Sequence, residues 1–208
     1  MALTLLENNI DSVRNRATLI KDGLNAALDK VRNDGRLTPH AKRQEIARHY
    51  LAAKQKLDGL LDEERAITAK QRDNVERDLF GQRETGPVGV VAYRDAQDRA
   101  LRLGHADEDH ALALLISARH SSDDTLATAV LSRALHFGWS GVISAYTDNY
   151  PEQRERLDDL TNINHWTKQQ ESDGFNGYGA IYSVAPPREI SGGINDAAIQ
   201  KIANGDNA

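Results

Sequence analysis

Apolar residues in the first thirty positions recur at the alternating three- and four-residue spacing of a helix that packs against another helix. Nine successive positions keep this spacing: Leu3, Leu6, Ile10, Val13, Ala17, Ile20, Leu24, Ala27 and Val31. A seam of this length is typical of coiled-coil packing. Leu5, Leu19 and Leu28 flank the seam and widen the apolar stripe, so we expect these leucines to need a further partner.

A second long helix is predicted directly after the first. The Asn-Asp-Gly sequence at 33–35 favours a left-handed helix end. Thr38 followed by Pro39 then provides an N-cap and a first helical residue. No further proline occurs up to Phe80, and Gly59 is the only glycine in this range. Because the connection is short, the two helices are predicted to form a long antiparallel hairpin.

The second helix keeps the apolar seam for only part of its length. Its seam positions are Ile46, Tyr50, Ala53, Leu57, Leu60 and Ile67. Val75 and Leu79 follow on a longer spacing, while Glu64 and Gln71 stand where a strict heptad requires apolar residues. The last part, about 71–80, is therefore predicted to overhang the first helix by about three turns. This end needs a partner in the second region or in another subunit.

Short helices are predicted after a polar linker at 82–87. They cover about 88–103, 107–120, 121–138, 139–147 and 151–170. The segment 111–116 is apolar all round and is predicted to be the buried centre of this region. Asp107 is expected to cap the second of these helices, and the segment 121–124 matches the capping-box pattern of a hydroxyl residue followed three positions later by an acid.

The C-terminal residues combine glycine and proline with aromatic side chains. Pro186 and Pro187 exclude regular helix, and Asn195 is expected to cap one last short helix. The segment carries too little apolar surface to fold alone, so we expect an extended arm that lies on another surface and reaches a neighbouring chain. The chain is thus predicted to be all-α, with a hairpin at 1–81, a small bundle at 82–171 and an arm at 172–208.

Charge and composition exclude several classes of protein. The net charge is −5, with 15 basic against 13 acidic residues in 1–80 and 11 against 18 in the remainder. Because neither part has a one-sided basic surface, no direct nucleic-acid binding is expected. The chain has no cysteine, which excludes disulfides and cysteine-based zinc sites. No signal peptide or membrane span is predicted, and the expected compartment is the cytoplasm.

The strongest candidate for chemistry is a cluster of histidines and acids at 105–110. His105, Asp107, Asp109 and His110 have the right residue types for a metal site, but Asp107 is better used as a helix cap. The chain lacks the common catalytic and phosphate-binding motifs. We therefore predict no catalytic, cofactor-binding or metal-binding residues. The alternatives are a metal-dependent helical enzyme centred on these four residues and a dimeric nucleic-acid-binding or regulatory adaptor.

The hairpin, the helical body and the Gly/Pro-containing arm together resemble the small head, neck or scaffolding proteins of tailed bacteriophages. The resemblance implies a virion protein assembled in the host cytoplasm, without cofactors, that binds copies of itself and neighbouring proteins of a larger assembly. Protein contacts are predicted at the flanks of the hairpin, at the overhanging end and in the arm. The residues concerned are Leu5, Leu19, Leu28, Val75, Leu79, Phe80, Phe175, Tyr178, Ile181 and Tyr182.

Overall fold

A computed structural model describes residues 2–82, 86–173, 177–191 and 195–205, with the side chains of the first helix described from Leu6 onward. Regular secondary structure in these ranges is helical throughout, so the predicted all-α class is confirmed for them. The helices are α1 (Ala2–Asn33), α2 (Pro39–Phe80), α3 (Pro87–Leu101), α4 (Glu108–His120), α5 (Asp124–Phe137), α6 (Ser140–Asn149), α7 (Pro151–Ser172), α8 (Tyr178–Tyr182) and α9 (Asp196–Asn204). No helix in the described ranges is both long and apolar enough to cross a membrane.

The chain divides into two compact units, and the divisions differ from the predicted boundaries at 81 and 171. The first unit contains 1–70 and 165–208, and the second unit contains 71–164. Both α2 and α7 contribute residues to each unit, because neither helix has a breaker at the division. The predicted boundaries were placed at helix-breaking residues. In the structure, the division between the two units lies within α2 and α7, several residues before those breakers.

In the first unit, α1 and α2 face each other in reverse order. Near their connection, Lys42 Nζ donates to the carbonyl oxygen of Arg32 at 2.6 Å, and farther along Arg14 binds Glu64 at 2.8 Å. Thr38 Oγ1 accepts from the Ala41 amide at 3.2 Å and so acts as the predicted cap of α2. The buried residues between the helices include Val13, Ala17, Leu24, Leu28, Val31, Ile46, Tyr50, Ala53, Leu57 and Leu60.

The described residues of the C-terminal arm pack on α1 and α2 of the same chain. Tyr178 and Tyr182 join the apolar cluster around Val13 and Leu57. Farther along, the buried residues Ile190, Ile199, Ile202 and Ala203 join a second cluster with Leu24, Leu28, Ile46 and Tyr50. Asn195 caps α9 as predicted, since its Oδ1 accepts from the Ala198 amide at 3.0 Å. The sequence predicts an arm that reaches a neighbouring chain, whereas these apolar residues find their partner within the first unit.

In the second unit, α5 is the central helix. It contacts α3, α4 and α6, and all six residues from Leu126 to Leu131 are buried. The prediction that 111–116 forms the buried centre is wrong: within that run only Ala111 and Leu115 are buried, and Ile116 is 45% exposed. An apolar run becomes the centre only where neighbours surround it, and α4 is covered on one side. α5 ends at Gly138, whose φ of +75° suits glycine.

Two predicted caps differ from the observed ones. The capping box that begins with Ser121 is wrong, because Asp123 caps α5 by accepting from the Leu126 amide at 2.9 Å. Ser121 instead ends α4, where its Oγ donates to the Ser117 carbonyl at 3.0 Å. Asp107 occupies the N-cap position of α4, but its carboxylate accepts from the Gly104 amide at 2.7 Å and so stabilises the preceding turn.

Candidate protein-interaction surfaces

One face of the α1–α2 pair is an open apolar groove, here called the open face. The groove consists of two adjoining depressions, and Leu19 and Ile20 of α1 and Lys56 of α2 lie where the two meet. The remaining lining residues are Arg16, Gly23, Leu24, Ala27, His49, Ala52, Ala53, Gly59, Leu60 and Glu63, all from the same two helices. Leu19 lies in the groove with 70% of its surface exposed. The open face therefore leaves a large apolar side chain in water.

Two glycines shape the open face beside Leu19. Gly23 and Gly59 lie in helix interiors, and a Cβ atom added at either position would meet nothing within 4 Å. Glycine inside a helix costs about 1 kcal/mol relative to alanine. Packing within the chain does not require either glycine, since an alanine would fit. Their missing side chains leave depressions next to the exposed leucine. A ridge of side chains on another helix could pack into such depressions.

The charges on the open face neutralise each other at one end. Arg16 Nη2 and Glu63 Oε1 form an ion pair at 2.5 Å, with both side chains about half exposed. An exposed pair of this kind contributes little to stability. The pair does hold two opposite charges together beside the groove. The apolar residues there therefore have no uncompensated charge from Arg16 or Glu63 next to them.

A buried charge cluster, here called the Glu64 cluster, lies under the arm. Glu64 is completely buried, and Arg14 binds both of its oxygens, at 2.8 Å from Nη2 and 3.2 Å from Nε. The Tyr182 hydroxyl donates to Glu64 Oε2, and Arg14 Nη2 also donates to Gln170 Oε1 at 2.8 Å. Sequence reasoning noticed Glu64 only as an irregular seam residue. A lone acid at a core position is the signal that could have predicted a buried pair.

Aromatic rings surround the Glu64 cluster. The Arg14 guanidinium lies 5.4 Å from the centre of the Trp166 ring, and Arg65 lies at the same distance from the Tyr178 ring. Burial, and then the hydrogen bond to Glu64, raise the pKa of Tyr182 far above its ordinary value. Burial also raises the pKa of Tyr178. Both phenols are therefore held in their neutral form, and the Tyr182 hydroxyl donates a hydrogen bond to the buried carboxylate.

Side chains of α1 and α2 also bind the backbone of the arm. Lys21 Nζ donates to the Ala180 carbonyl at 2.8 Å, and Arg43 Nε donates to the Glu189 carbonyl at 3.1 Å. At the end of α9, the Ala203 carbonyl accepts from Arg48 Nε at 2.9 Å. Cations near a helix C-terminus are favourable because the last carbonyls carry partial negative charge.

Two ion pairs complete the attachment of the arm. Arg32 binds Glu189 through Nε at 2.7 Å and Nη2 at 3.1 Å, and this bond lowers the pKa of Glu189 to about 2. Lys54 binds Asp196 in the first turn of α9. We call these two pairs, together with the three contacts to backbone carbonyls, the arm anchors.

Two of the four predicted metal ligands, His105 and Asp107, make other contacts. The His105 ring packs edge-on against Phe137 at 5.6 Å, and its carbonyl accepts from Trp139 Nε1 at 2.9 Å. Glu108, their neighbour in the sequence, accepts from the Gly141 amide at 3.1 Å. Across the described ranges, no group of three His, Asp or Glu side chains is arranged to hold a metal ion. The geometry therefore gives no support to a site at His105, Asp107, Asp109 and His110.

The predicted contact residues fall into four groups. Leu28, Tyr178 and Tyr182 are buried in the first unit, and Val75 and Leu79 are buried as well. Ile181 and Phe80 are partly buried, while Leu19 is largely exposed. The side chains of Leu5 and Phe175 lie outside the described residues.

Sequence reasoning missed the exposed apolar residues of α3. Val88 is 79% exposed, Val91 is 68% exposed, and Leu101 at the end of the helix is 60% exposed. Val88 and Val91 lie one turn apart on the same side of the helix. The predicted helix pattern contained them, but only the packing of α3 on α5 decides which of its apolar residues remain outside.

These features define an all-helical protein with an open helix-pair face and a second face covered by its own C-terminal arm. No protein-family model, curated protein or solved structure matches the chain.

Proposed function

We propose that the protein is a non-enzymatic structural or assembly protein that forms homo-oligomers through the open face and contacts neighbouring proteins of a larger assembly. The observation that carries this proposal is Leu19, 70% exposed in an apolar groove between two long helices. Covering one leucine side chain contributes about 1.5–3 kcal/mol. The antiparallel hairpin is proposed as the coiled-coil-like element that makes the contact. The resemblance to tailed-phage head, neck and scaffolding proteins motivates the proposed place in a virion.

A second copy of the chain suits the open face because this face carries both a projecting leucine and depressions that a leucine could fill. Leu19 projects beside depressions left by Gly23 and Gly59. In a two-fold symmetric contact, each surface meets the same surface of its partner, so each leucine faces the depressions of the other copy. This arrangement explains both the exposed leucine and the two glycines.

The two alternatives find less support. A metal-dependent enzyme needs ligands that converge, and no group of three such ligands converges among the described residues, where Asp107 and Glu108 accept hydrogen bonds from backbone amides. A nucleic-acid-binding adaptor needs a cationic surface, whereas the residues after 80 carry 11 basic against 18 acidic side chains. We therefore propose no catalytic or nucleic-acid-binding role.

Light scattering of the purified protein over a range of concentrations tests this proposal. The wild-type chain is expected to have a mass above that of a single copy, and Leu19→Glu is expected to shift the equilibrium toward single copies by at least tenfold, since it places a charge in the contact. Val91→Glu is the matched control, because Val91 is equally exposed but lies on α3. A wild-type chain that stays monomeric at all concentrations contradicts the proposal. Dissociation by Val91→Glu alone would move the contact to α3.

A further inference from the structure

The two helices of the open face carry different side chains at matching levels. Arg16 and Leu19 of α1 line the same depression as Gly59 and Glu63 of α2. The Arg16–Glu63 ion pair places residues 16 and 63 at one level. Because the helices run in opposite directions, one turn farther along the groove brings Leu19 level with Gly59.

The next turn along the groove continues this pattern in the second depression. Gly23 of α1 and Lys56 of α2 both line that depression. Along the open face, an arginine therefore stands beside a glutamate, a leucine beside a glycine, and a glycine beside a lysine. Each level combines a cation with an anion or a large side chain with none. The α1 edge of the face is thus complementary to its own α2 edge.

We propose that the open face binds the open face of a second copy with the two-fold axis parallel to the helices, so that α1 of each copy lies on α2 of the other. The proposal rests on the proposed oligomer and specifies how its copies meet. This symmetry keeps every residue at its level and exchanges the two helices. Leu19 then lies over Gly59 of the second copy, and Lys56 lies over Gly23. Arg16 faces Glu63 of the second copy, so the two helix pairs form a four-helix bundle with charges matched across the contact.

A two-fold axis perpendicular to the helices gives a poorer match. It places α1 on α1, where Leu19 meets Gly23 of the second copy. Symmetry about the midpoint of these two residues then sets Arg16 opposite Ala26, an apolar residue. An arginine gains no opposite charge there, whereas the parallel axis gives it a carboxylate. Charge complementarity therefore selects the axis parallel to the helices.

Charge reversal on separate chains tests this arrangement. Arg16→Glu and Glu63→Arg each place like charges across the contact, so each variant alone is expected to self-associate about tenfold more weakly or worse. In a mixed pair, every glutamate across the contact faces an arginine. Like charges remain side by side within each chain, so recovery in the mixture can come only from contacts between copies. Native mass spectrometry of an equal mixture, with one variant ¹⁵N-labelled, is expected to show mixed pairs well above the half that random assortment gives.

Arg72→Glu and Glu76→Arg form the matched control, because this pair on α2 is 45% exposed at both side chains and lies outside the groove. These two variants should associate like the wild-type chain and mix at random. If the 16 and 63 variants also mix at random, or associate like the wild type, the arrangement is overturned and the proposed function stands. A wild-type chain that stays a single copy at all concentrations overturns both.

Discussion

In the second unit, apolar burial centres on one helix, α5, which three other helices contact. In the first unit, two long helices form a layer whose apolar stripes are covered by a segment more than a hundred residues away in the sequence. A central helix can be buried on all sides by its neighbours. A layer of two helices has two faces, and one covering segment can close only one of them. The exposed Leu19 on the other face is a direct consequence of this difference.

The two units also differ in how they bury polar groups. In the first unit, the Tyr182 hydroxyl donates to Glu64, a carboxylate that is completely buried. The second unit contains the same kind of bond between Tyr150 and Asp124, at 2.9 Å, but here the phenol is only half-buried and the carboxylate is exposed. A charge removed from water must be paired, whereas an exposed charge retains its hydration. The same residue types should therefore matter much more in the first unit.

The largest expected effect comes from the central helix of the second unit. Leu131→Ala removes a completely buried side chain and is expected to lower the free energy of unfolding by about 4 kcal/mol, since it leaves a cavity. Fluorescence of Trp139 in a Trp166→Phe background measures unfolding of this unit, because the chain has only two tryptophans. Leu101→Ala, at a site that is 60% exposed, should change the same quantity by less than about 0.5 kcal/mol. Equal effects of the two substitutions would contradict a core centred on α5.

Adjacent glutamates of α2 give the next test. Glu64→Gln removes the charge that pairs with Arg14 and is expected to cost about 3 kcal/mol, because a buried pair loses one partner. Glu63→Gln removes an exposed charge and should cost about 0.5 kcal/mol or less. Urea unfolding followed by Trp166 fluorescence, in a Trp139→Phe background, measures both changes. A cost for Glu63→Gln that matches the cost for Glu64→Gln would show that burial does not set the strength of the pair.

The smallest of the three effects compares the two tyrosines. Tyr182→Phe is expected to cost about 2 kcal/mol at pH 7 and Tyr150→Phe about 0.5 kcal/mol, since a hydrogen bond to a buried charge is the stronger. Burial raises the pKa of both phenols, to about 12 for Tyr150 and higher for Tyr182.

The raised pKa values of the two tyrosines also predict how stability changes with pH in the alkaline range. A raised pKa means that the folded state retains a proton that the unfolded state loses near pH 10. The stability contributed by each phenol is therefore complete below about pH 10 and is lost as the pH rises toward the folded-state value. The wild-type chain should lose stability over this range, and Tyr182→Phe should make the loss shallower. An unchanged slope would contradict a neutral Tyr182 bound to Glu64.

Helix positions were largely predictable because they depend on local signals. Pro39, Gly138 and Asn195 mark helix ends through backbone geometry and capping that nearby residues determine. The alternating spacing of apolar residues in α1 predicted most of its buried side chains, among them Val13, Ala17 and Leu24. Ile20 and Ala27, which share this spacing, are only half-buried. The cap of α5 was misplaced by two residues, since Ser121 and Asp123 offer competing local hydrogen bonds.

The sequence by itself determined the helical class, most helix ends and the apolar stripes, since each depends on residues within a few turns of one another. Only the tertiary structure decided which stripe is covered and by what. The arm lies on α1 and α2, α5 rather than α4 is central, and Glu64 meets Arg14 and Tyr182 from distant parts of the chain. Such pairings depend on how whole helices fit together, and no local pattern contains that information. For the same reason, only the packed structure distinguishes Leu28, which the arm's cluster buries, from Leu19, which remains exposed.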